Sequence, residues 1–374
     1  DTDVVVDALI GTGLQRPLAD LWLRAGDCIN VSPWPVVAAD IPSGINANRG
    51  QDMGAAVRAD MTVAFIGLNR GLFTGDAPEY VGRVVFDGLD VDDSCYETLD
   101  TDTSLITEAV LQSLHPRSRT LYKNQCGHVL VVGGNTGMAG AAILTARAAL
   151  RAGAGLVSLA TRPEHVAMAV AAQQELMVHG IDDVHDLDEL MARAYCIVIG
   201  PGLGQDSWSD QLLGKVLECR KPMVLDADAL NLLAKEPMRC EDWILTPHAA
   251  EAGRLLGIST GEVTAERFHA VRQIQQRYGG VALLKGAGTL VASHTMGVCA
   301  AGNPGMATAG MGDVLGGVIA ALLAQGLPHT RAVEVGVWAH ARAGDMEAEQ
   351  HGERGMAATD LLSHVRTVLN AGPG

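Results

Sequence analysis

Residues 128–161 read HVLVVGGNTGMAGAAILTARAALRAGAGLVSLAT. An apolar run opens the segment and ends on Gly133 and Gly134, and small apolar residues then continue at helical spacing to Arg151. A second apolar run, Leu156 to Thr161, closes it. Strand, glycine turn, long helix and strand in that order require a crossover, so the two strands are expected to lie parallel. The glycines, Gly133, Gly134, Gly137 and Gly140, do not follow G-x-G-x-x-G, and no acidic residue stands at the usual distance beyond the second strand. A phosphate cradle of another kind therefore competes with plain tight turns.

The same alternation extends in both directions. VVVDAL, PVVAADI, DMTVAFIG, CIVIGPG, PMVLDAD, DWILTPH and GVALLKG all read as short buried strands, while AERFHAVRQIQQRYGG reads as a helix. This predicts an α/β chain with an open, mostly parallel sheet covered on both faces by helices. In such sheets ligands bind beyond the carboxyl ends of the strands, which is where most of the glycine clusters fall. Between about Val91 and Arg119 the composition turns acidic and hydroxyl-rich. That predicts a first unit over 1–95, a linker over 96–119 and a second unit over 120–374.

Composition narrows the function. The net charge of −16, from 27 basic and 43 acidic residues, argues against nucleic-acid binding, and aromatics at 4 % offer little base-stacking surface. With 48 % apolar and 19 % charged residues the chain can build a large core. No apolar run approaches the ~20 residues of a membrane span, so a soluble cytoplasmic protein is expected. The seven scattered cysteines, with no C-x-x-C, are expected to be buried reduced thiols. The opening DTDVVVDALIGTG lacks a Met and enters a buried-type strand at once, so the chain is expected to be a fragment without its N-terminal part.

Several constellations lie at predicted strand ends. In IVIGPGLG, Gly202 and Gly204 leave the backbone open, or simply make a turn. In VLDADALNLL, Asp226 and Asp228 together order a hydrated Mg²⁺, or Asp228 simply caps the helix that follows. In TPHAAEAGRLLG, His248 and Glu251 share one face of a first helical turn. Lys285-Gly286-Ala287-Gly288-Thr289 is either a hairpin turn or a nucleotide-phosphate loop offering amides, a hydroxyl and an ammonium. In NPGMATAGMGDVLGG, residues 303–317, Asp313 opens an apolar helix as a cap or as a working carboxylate.

These motifs, in this order over roughly Leu121 to Leu369, resemble the ADP-dependent NAD(P)H-hydrate dehydratases, which have a ribokinase-like fold. DALIGTGLQRP and DIPSG in front resemble the later half of a Rossmann-like NAD(P)H-hydrate epimerase domain, so the whole resembles the bifunctional repair enzymes. The resemblance implies Asp313 as the group that activates the substrate hydroxyl, with ADP as phosphoryl donor and Mg²⁺ as its companion. It implies contacts to the hydrate from Ala141, Gly202, Gly204, His248 and Asp313, and to the nucleotide from Lys285, Gly286, Ala287, Gly288, Thr289 and Gly312. Glu251 is the implied Mg²⁺ ligand. In the front unit it implies Gly11, Thr12, Gly13, Leu14, Gln15, Arg16 and Pro17 at the substrate phosphates, Asp40 near the reacting centre, and Asp7 and Ser43 at a K⁺ ion. The family's earlier phosphate loop would precede Asp1, so no epimerase activity is expected of this chain. Homo-oligomer formation is left open. Two rivals remain: a small-molecule kinase of the same fold, and a non-catalytic nucleotide-binding scaffold.

Overall fold

The computed structural model describes residues 3–371 except 98 and 100; the outer bounds of the two expected units, at Asp1 and Gly374, lie outside the described residues. Four strands, β1 (Val5–Asp7), β2 (Val36–Ala39), β3 (Met61–Phe65) and β4 (Arg83–Asp87), form a parallel sheet in chain order. The second sheet has ten strands: β5 (Thr103–Leu105), β6 (His128–Val132), β7 (Leu156–Thr161), β8 (Met177–Gly180), β9 (Cys196–Ile199), β10 (Met223–Leu225), β11 (Trp243–Leu245), β12 (Val281–Leu284), β13 (Thr289–Ala292) and β14 (Met296–Cys299). Their order is β5-β14-β13-β12-β11-β10-β9-β6-β7-β8.

From β8 to β12 every neighbouring pair is parallel, and β12, β13 and β14 then turn back antiparallel. The chain winds outward through β6, β7 and β8, then returns to lay β9 against the other side of β6. That reversal creates a crevice at the carboxyl ends of the central strands.

The central strands read as unbroken apolar runs because both faces are covered. Alternate residues of each strand divide between two cores. Val129, Val131 and Val198 face the helices Ala139–Arg151, Met311–Ala324, His329–His351 and Leu361–Leu369. Leu130, Val132, Ile197 and Ile199 face the helices on the opposite side, among them Ser207–Leu217 and Arg267–Tyr278. The front unit has smaller cores, around Ile41, Ile45 and Leu72 and around Val36, Ala38 and Val57. No helix among the described residues is long and apolar enough to cross a membrane.

Two expectations differ from the structure. Residues 103–111 are no simple connector: β5 pairs with β14 as an edge strand of the large sheet, and Ile106, Val110 and Leu111 lie in its core. A three-residue strand carries too little periodicity to stand out in sequence. The cysteines are not uniformly buried, since Cys28 and Cys95 are exposed.

Close helix packing depends on one small residue. A Cβ on Gly317, in helix Met311–Ala324, would stand 2.2 Å from the Thr145 carbonyl oxygen of helix Ala139–Arg151. Gly214, exposed in helix Ser207–Leu217, has nothing within 4 Å of such a Cβ. Urea unfolding should therefore separate the two alanine variants in sign. Gly317→Ala should lose about 1–3 kcal/mol through overpacking. Gly214→Ala should gain roughly 0.5–1 kcal/mol from lower backbone entropy in the unfolded chain.

Candidate active site

The parallel central sheet sends the ends of β10, β11 and β12 to one edge, and each delivers a charged group there. Asp226 follows β10 directly, Lys285 follows β12 directly, and Glu251 stands in the first turn of helix Ala249–Leu256 after β11. The Lys285 ammonium donates to Asp226 Oδ1 at 2.8 Å and lies 3.8 Å from Glu251 Oε2. Asp226 is 2 % exposed and Glu251 5 %. Burial disfavours the Lys285 ammonium, but the Asp226 and Glu251 carboxylates outweigh it and hold the group above its ordinary pKa.

Helix Met311–Ala324 points its N-terminus at this cluster. Its N-cap, Gly310, has φ 91° and no side chain caps the first turn. Asp313 therefore does not act as a cap, and the first-turn amides keep their donor capacity. A Cβ on Gly312 would lie 3.2 Å from Lys285 Nζ and 3.6 Å from Asp226 Oδ2, so glycine lets this turn close on the charges. Burial, then repulsion from Asp226, raises Asp313 to about 7, with Lys285 offsetting part of that rise. Away from water and beside a second carboxylate, the ionised form of Asp313 is disfavoured.

Asp226 and Asp228 do not form a pair. Asp228 opens helix Asp228–Lys235 without capping it; its Oδ2 accepts from Gly204 N at 2.9 Å and so pins the glycine loop. Between them Ala227 has φ 48°, a left-handed backbone that a non-glycine residue adopts only under local constraint. Gly202 (φ 58°) packs where a Cβ would meet the Met138 carbonyl at 2.4 Å and the Ala141 side chain at 3.3 Å. The structure thus brings Ala141, Gly202 and Gly204 together beside the crevice. Asn135 joins them through its backbone N–H to Gly202 O at 2.7 Å. Its side chain donates to Asp206 and accepts from Arg162 Nε at 2.9 Å. The Asn135 amide, the Ser209 N–H and nearby Arg162 bring Asp206 down to about 2. This cluster escaped the sequence because its members stand in three separate loops.

His248 and Glu251 are engaged locally. His248 Nδ1 accepts from the amides of Ala250 and Glu251, and Glu251 Oε2 accepts from His248 N at 2.8 Å, a reciprocal cap. The half-exposed His248 ring keeps Nε2 3.4 Å from Glu251 Oε1. With its oxygens facing the cap, the imidazole and Lys285, Glu251 does not fit the role of Mg²⁺ ligand. Among the described residues no three His, Cys, Asp or Glu side chains form a metal-sized group.

Lys285 to Thr289 joins β12 to β13, so the stretch is a hairpin turn and a loop at the site edge together. Gly286 (φ 137°) and Gly288 (φ 61°) make its backbone path possible.

In the front unit Asp7 ends β1 and is wholly buried with Ser43. Ser43 Oγ donates to Asp7 Oδ1 at 2.7 Å, Ser43 N donates to Oδ2 at 2.7 Å, and the Ile10 carbonyl lies 3.1 Å from Ser43 Oγ. This is an all-oxygen set of the type a hard cation accepts. Asp40, just past β2, has φ 69° and receives Phe65 N at 3.3 Å. In the loop from Gly11 to Pro17, Thr12, Gln15 and Arg16 are exposed, but the Leu14 side chain is buried and only its backbone can face a ligand. Neither Gly11 nor Gly13 has positive φ or an atom within 4 Å of a would-be Cβ. Local packing therefore does not demand glycine at either position.

A ribokinase-like fold with a carboxylate at an uncapped helix N-terminus, opposite a loop of amides and a lysine, defines a nucleotide-dependent enzyme of that class. A family model described as NAD(P)H-hydrate dehydratase matches residues 129–367, and one described as YjeF-related protein N-terminus matches residues 1–71. The bifunctional NAD(P)H-hydrate repair enzyme Nnr of Coxiella burnetii is 48 % identical over 371 residues, covering 98 % of this chain and 76 % of that one. Its Escherichia coli counterpart is 46 % identical, covering 98 % and 72 %. The chain belongs to the bifunctional NAD(P)H-hydrate repair enzymes, a dehydratase domain preceded by an epimerase-type domain. Among solved structures, a ribokinase-like superfamily protein from Enterococcus faecalis superposes with a TM-score of 0.68 at 28 % identity, covering 72 % of this chain and 96 % of that one. An ADP/ATP-dependent NAD(P)H-hydrate dehydratase from Bacillus subtilis, co-crystallised with ATP and Mg²⁺, gives 0.65 at 27 %, covering 71 % and 98 %.

The raised Asp313 carboxyl has a stability consequence. Because its folded pKa exceeds its unfolded value of 3.8, the folded state binds more protons between 3.8 and about 7, and stability falls as pH rises through that window. Asp313→Asn should remove this penalty. At pH 8 it should be more stable than wild type by roughly 1–3 kcal/mol in thermal unfolding, and near pH 4 the difference should shrink towards zero.

Proposed function

We propose that the dehydratase domain restores NAD(P)H from its S-hydrate with ADP, using Asp313 as general base. The observation that carries this assignment is the position of Asp313, partly buried in the first turn of a helix with free amides and beside the Lys285 ammonium. A base with a pKa near 7 is half-ionised at neutral pH, where proton transfer is most effective.

Asp313 takes the proton of the ring hydroxyl, whose oxygen bonds to the β-phosphorus of ADP. The phosphoanhydride bond breaks and AMP leaves with its electron pair. The phosphorylated hydrate then loses phosphate from one ring carbon and a proton from its neighbour, which regenerates the dihydropyridine double bond. The amides from Ala309 to Gly312 are placed to receive the charge that develops on the transferring phosphoryl group, fixed before reaction as donors of this kind must be. Lys285 to Thr289 and Gly312 hold the AMP portion. Ala141, Gly202, Gly204 and His248 Nε2 line the hydrate. Mg²⁺ bound to ADP would neutralise phosphate charge; Glu251 is not assigned to it.

In the front domain, Asp7, Ser43 and the Ile10 carbonyl are the proposed K⁺ ligands. The loop from Gly11 to Pro17 receives substrate phosphate, and Asp40 stands at the ring. A kinase of the same fold is the less favoured alternative, because the curated relatives matched along both domains are repair enzymes.

Two measurements test the assignment. Asp313→Ala should lower ADP-dependent recovery of the near-ultraviolet absorbance of NADH by about 100-fold or more, as for loss of a general base. Near-normal turnover would remove Asp313 from that role. The acid limb of the wild-type rate profile should fall near pH 7, with activity rising as Asp313 deprotonates. Asp226→Asn deletes the repelling carboxylate, so its acid limb should move to lower pH.

A further inference from the structure

The dehydratase loop Lys285 to Thr289 touches the front domain at a buried hydrogen-bond chain. Arg267, at the start of helix Arg267–Tyr278, donates from Nε to Thr74 Oγ1 at 3.0 Å and from a terminal nitrogen to Gly288 O at 3.1 Å. The Thr74 hydroxyl has one proton to give, and two carbonyls are in reach, Gly288 O at 3.0 Å and Ala287 O at 3.1 Å. Thr74 belongs to the front domain and is wholly buried. Contact is close on both sides. A Cβ on Gly288 would lie 1.8 Å from the Phe73 carbonyl oxygen, and one on Gly286 would lie 2.9 Å from an Arg267 nitrogen. An ion pair between Arg49 and Glu266 at 2.8 Å and the Arg70 guanidinium 4.4 Å from the Phe268 ring centre hold the two domains together around it.

A trans peptide points its C=O and N–H in opposite directions. Fixing the Ala287 carbonyl towards Thr74 therefore turns the Gly288 N–H to the far side of the loop. The amides of Gly286, Ala287 and Gly288 have no acceptor among the described residues. Ala287 itself is exposed.

We propose that Thr74 is a positioning residue for the dehydratase reaction: oriented by Arg267, its hydroxyl locks the Ala287–Gly288 peptides so that the free loop amides face ADP. The epimerase-type domain thereby completes the nucleotide site of the domain that follows it. This inference rests on the assignment of Lys285 to Thr289 to the nucleotide.

The test is steady-state kinetics on the full chain with ADP varied at saturating hydrate. Thr74→Val keeps the shape and removes the hydroxyl; it should raise KM for ADP about five-fold with kcat and the hydrate KM nearly unchanged, the loss expected for one hydrogen bond. Thr74→Ser should restore the wild-type value. Ala287→Asp, which sets a negative charge on the exposed turn, reports on the loop independently and should raise KM for ADP more steeply. If Ala287→Asp weakens ADP and Thr74→Val does not, the positioning role is overturned while the loop assignment stands. If neither variant moves KM for ADP, the loop assignment fails and the proposal with it. A Thr74→Val change that lowers kcat and raises both KM values alike marks a merely structural residue and also overturns it. Should Thr74→Val not fold, Arg267→Lys, which removes the Nε–H donated to Thr74, takes its place with the same expected shift and the same overturning result.

Discussion

The Lys285 ammonium, set among the Asp226, Glu251 and Asp313 carboxyl groups, is the interaction on which the candidate site depends. It exists because β10, β11 and β12 are parallel neighbours, so residues far apart in sequence leave the sheet at one edge. One cation cannot neutralise three carboxylates in a site of low polarity. Asp226 keeps the ammonium as a close partner at 2.8 Å, and Asp313, further along the cluster, takes the raised pKa. Burial, together with the Asp226 charge, thus leaves a carboxyl that holds its proton up to about pH 7. The same arrangement costs folded stability, a common condition of active sites.

Backbone approach is the second constraint. Gly312 brings the helix turn to the charges, Gly202 brings the loop after β9 onto Met138 and Ala141, and Gly288 brings the hairpin turn onto the front domain. At each position a Cβ would meet a carbonyl oxygen, a charged group or a neighbouring side chain. Packing therefore favours glycine at each of the three. At Gly11 and Gly13 packing makes no such demand.

Much of this was legible in the chain. Strands buried on both faces read as unbroken apolar runs, and glycine or proline directly after them marked the functional edge. Asp226 was visible as half of an acidic doublet, yet its partner was misjudged: the structure turns Asp228 to Gly204 and Asp226 to Lys285. The helix cap that was one of two readings of Asp313 and of Asp228 is made by neither. The edge strands β5 and β8, and β14 beside β5, passed unnoticed, since strands this short carry little pattern and β5 is stabilised by its pairing with β14.

The order of elements, the mostly parallel sheet and the identity of the chemically capable residues were determined by the sequence alone, because burial periodicity and backbone sterics are local properties. Which carboxylate meets the lysine, which one is left to hold a proton near pH 7, and that Thr74 reaches across to Gly288, were decided only by the tertiary structure. Those outcomes depend on distances of a few ångströms between segments far apart in the chain. Coulomb energy and hydrogen bonding vary steeply over such distances, and sequence spacing does not encode them.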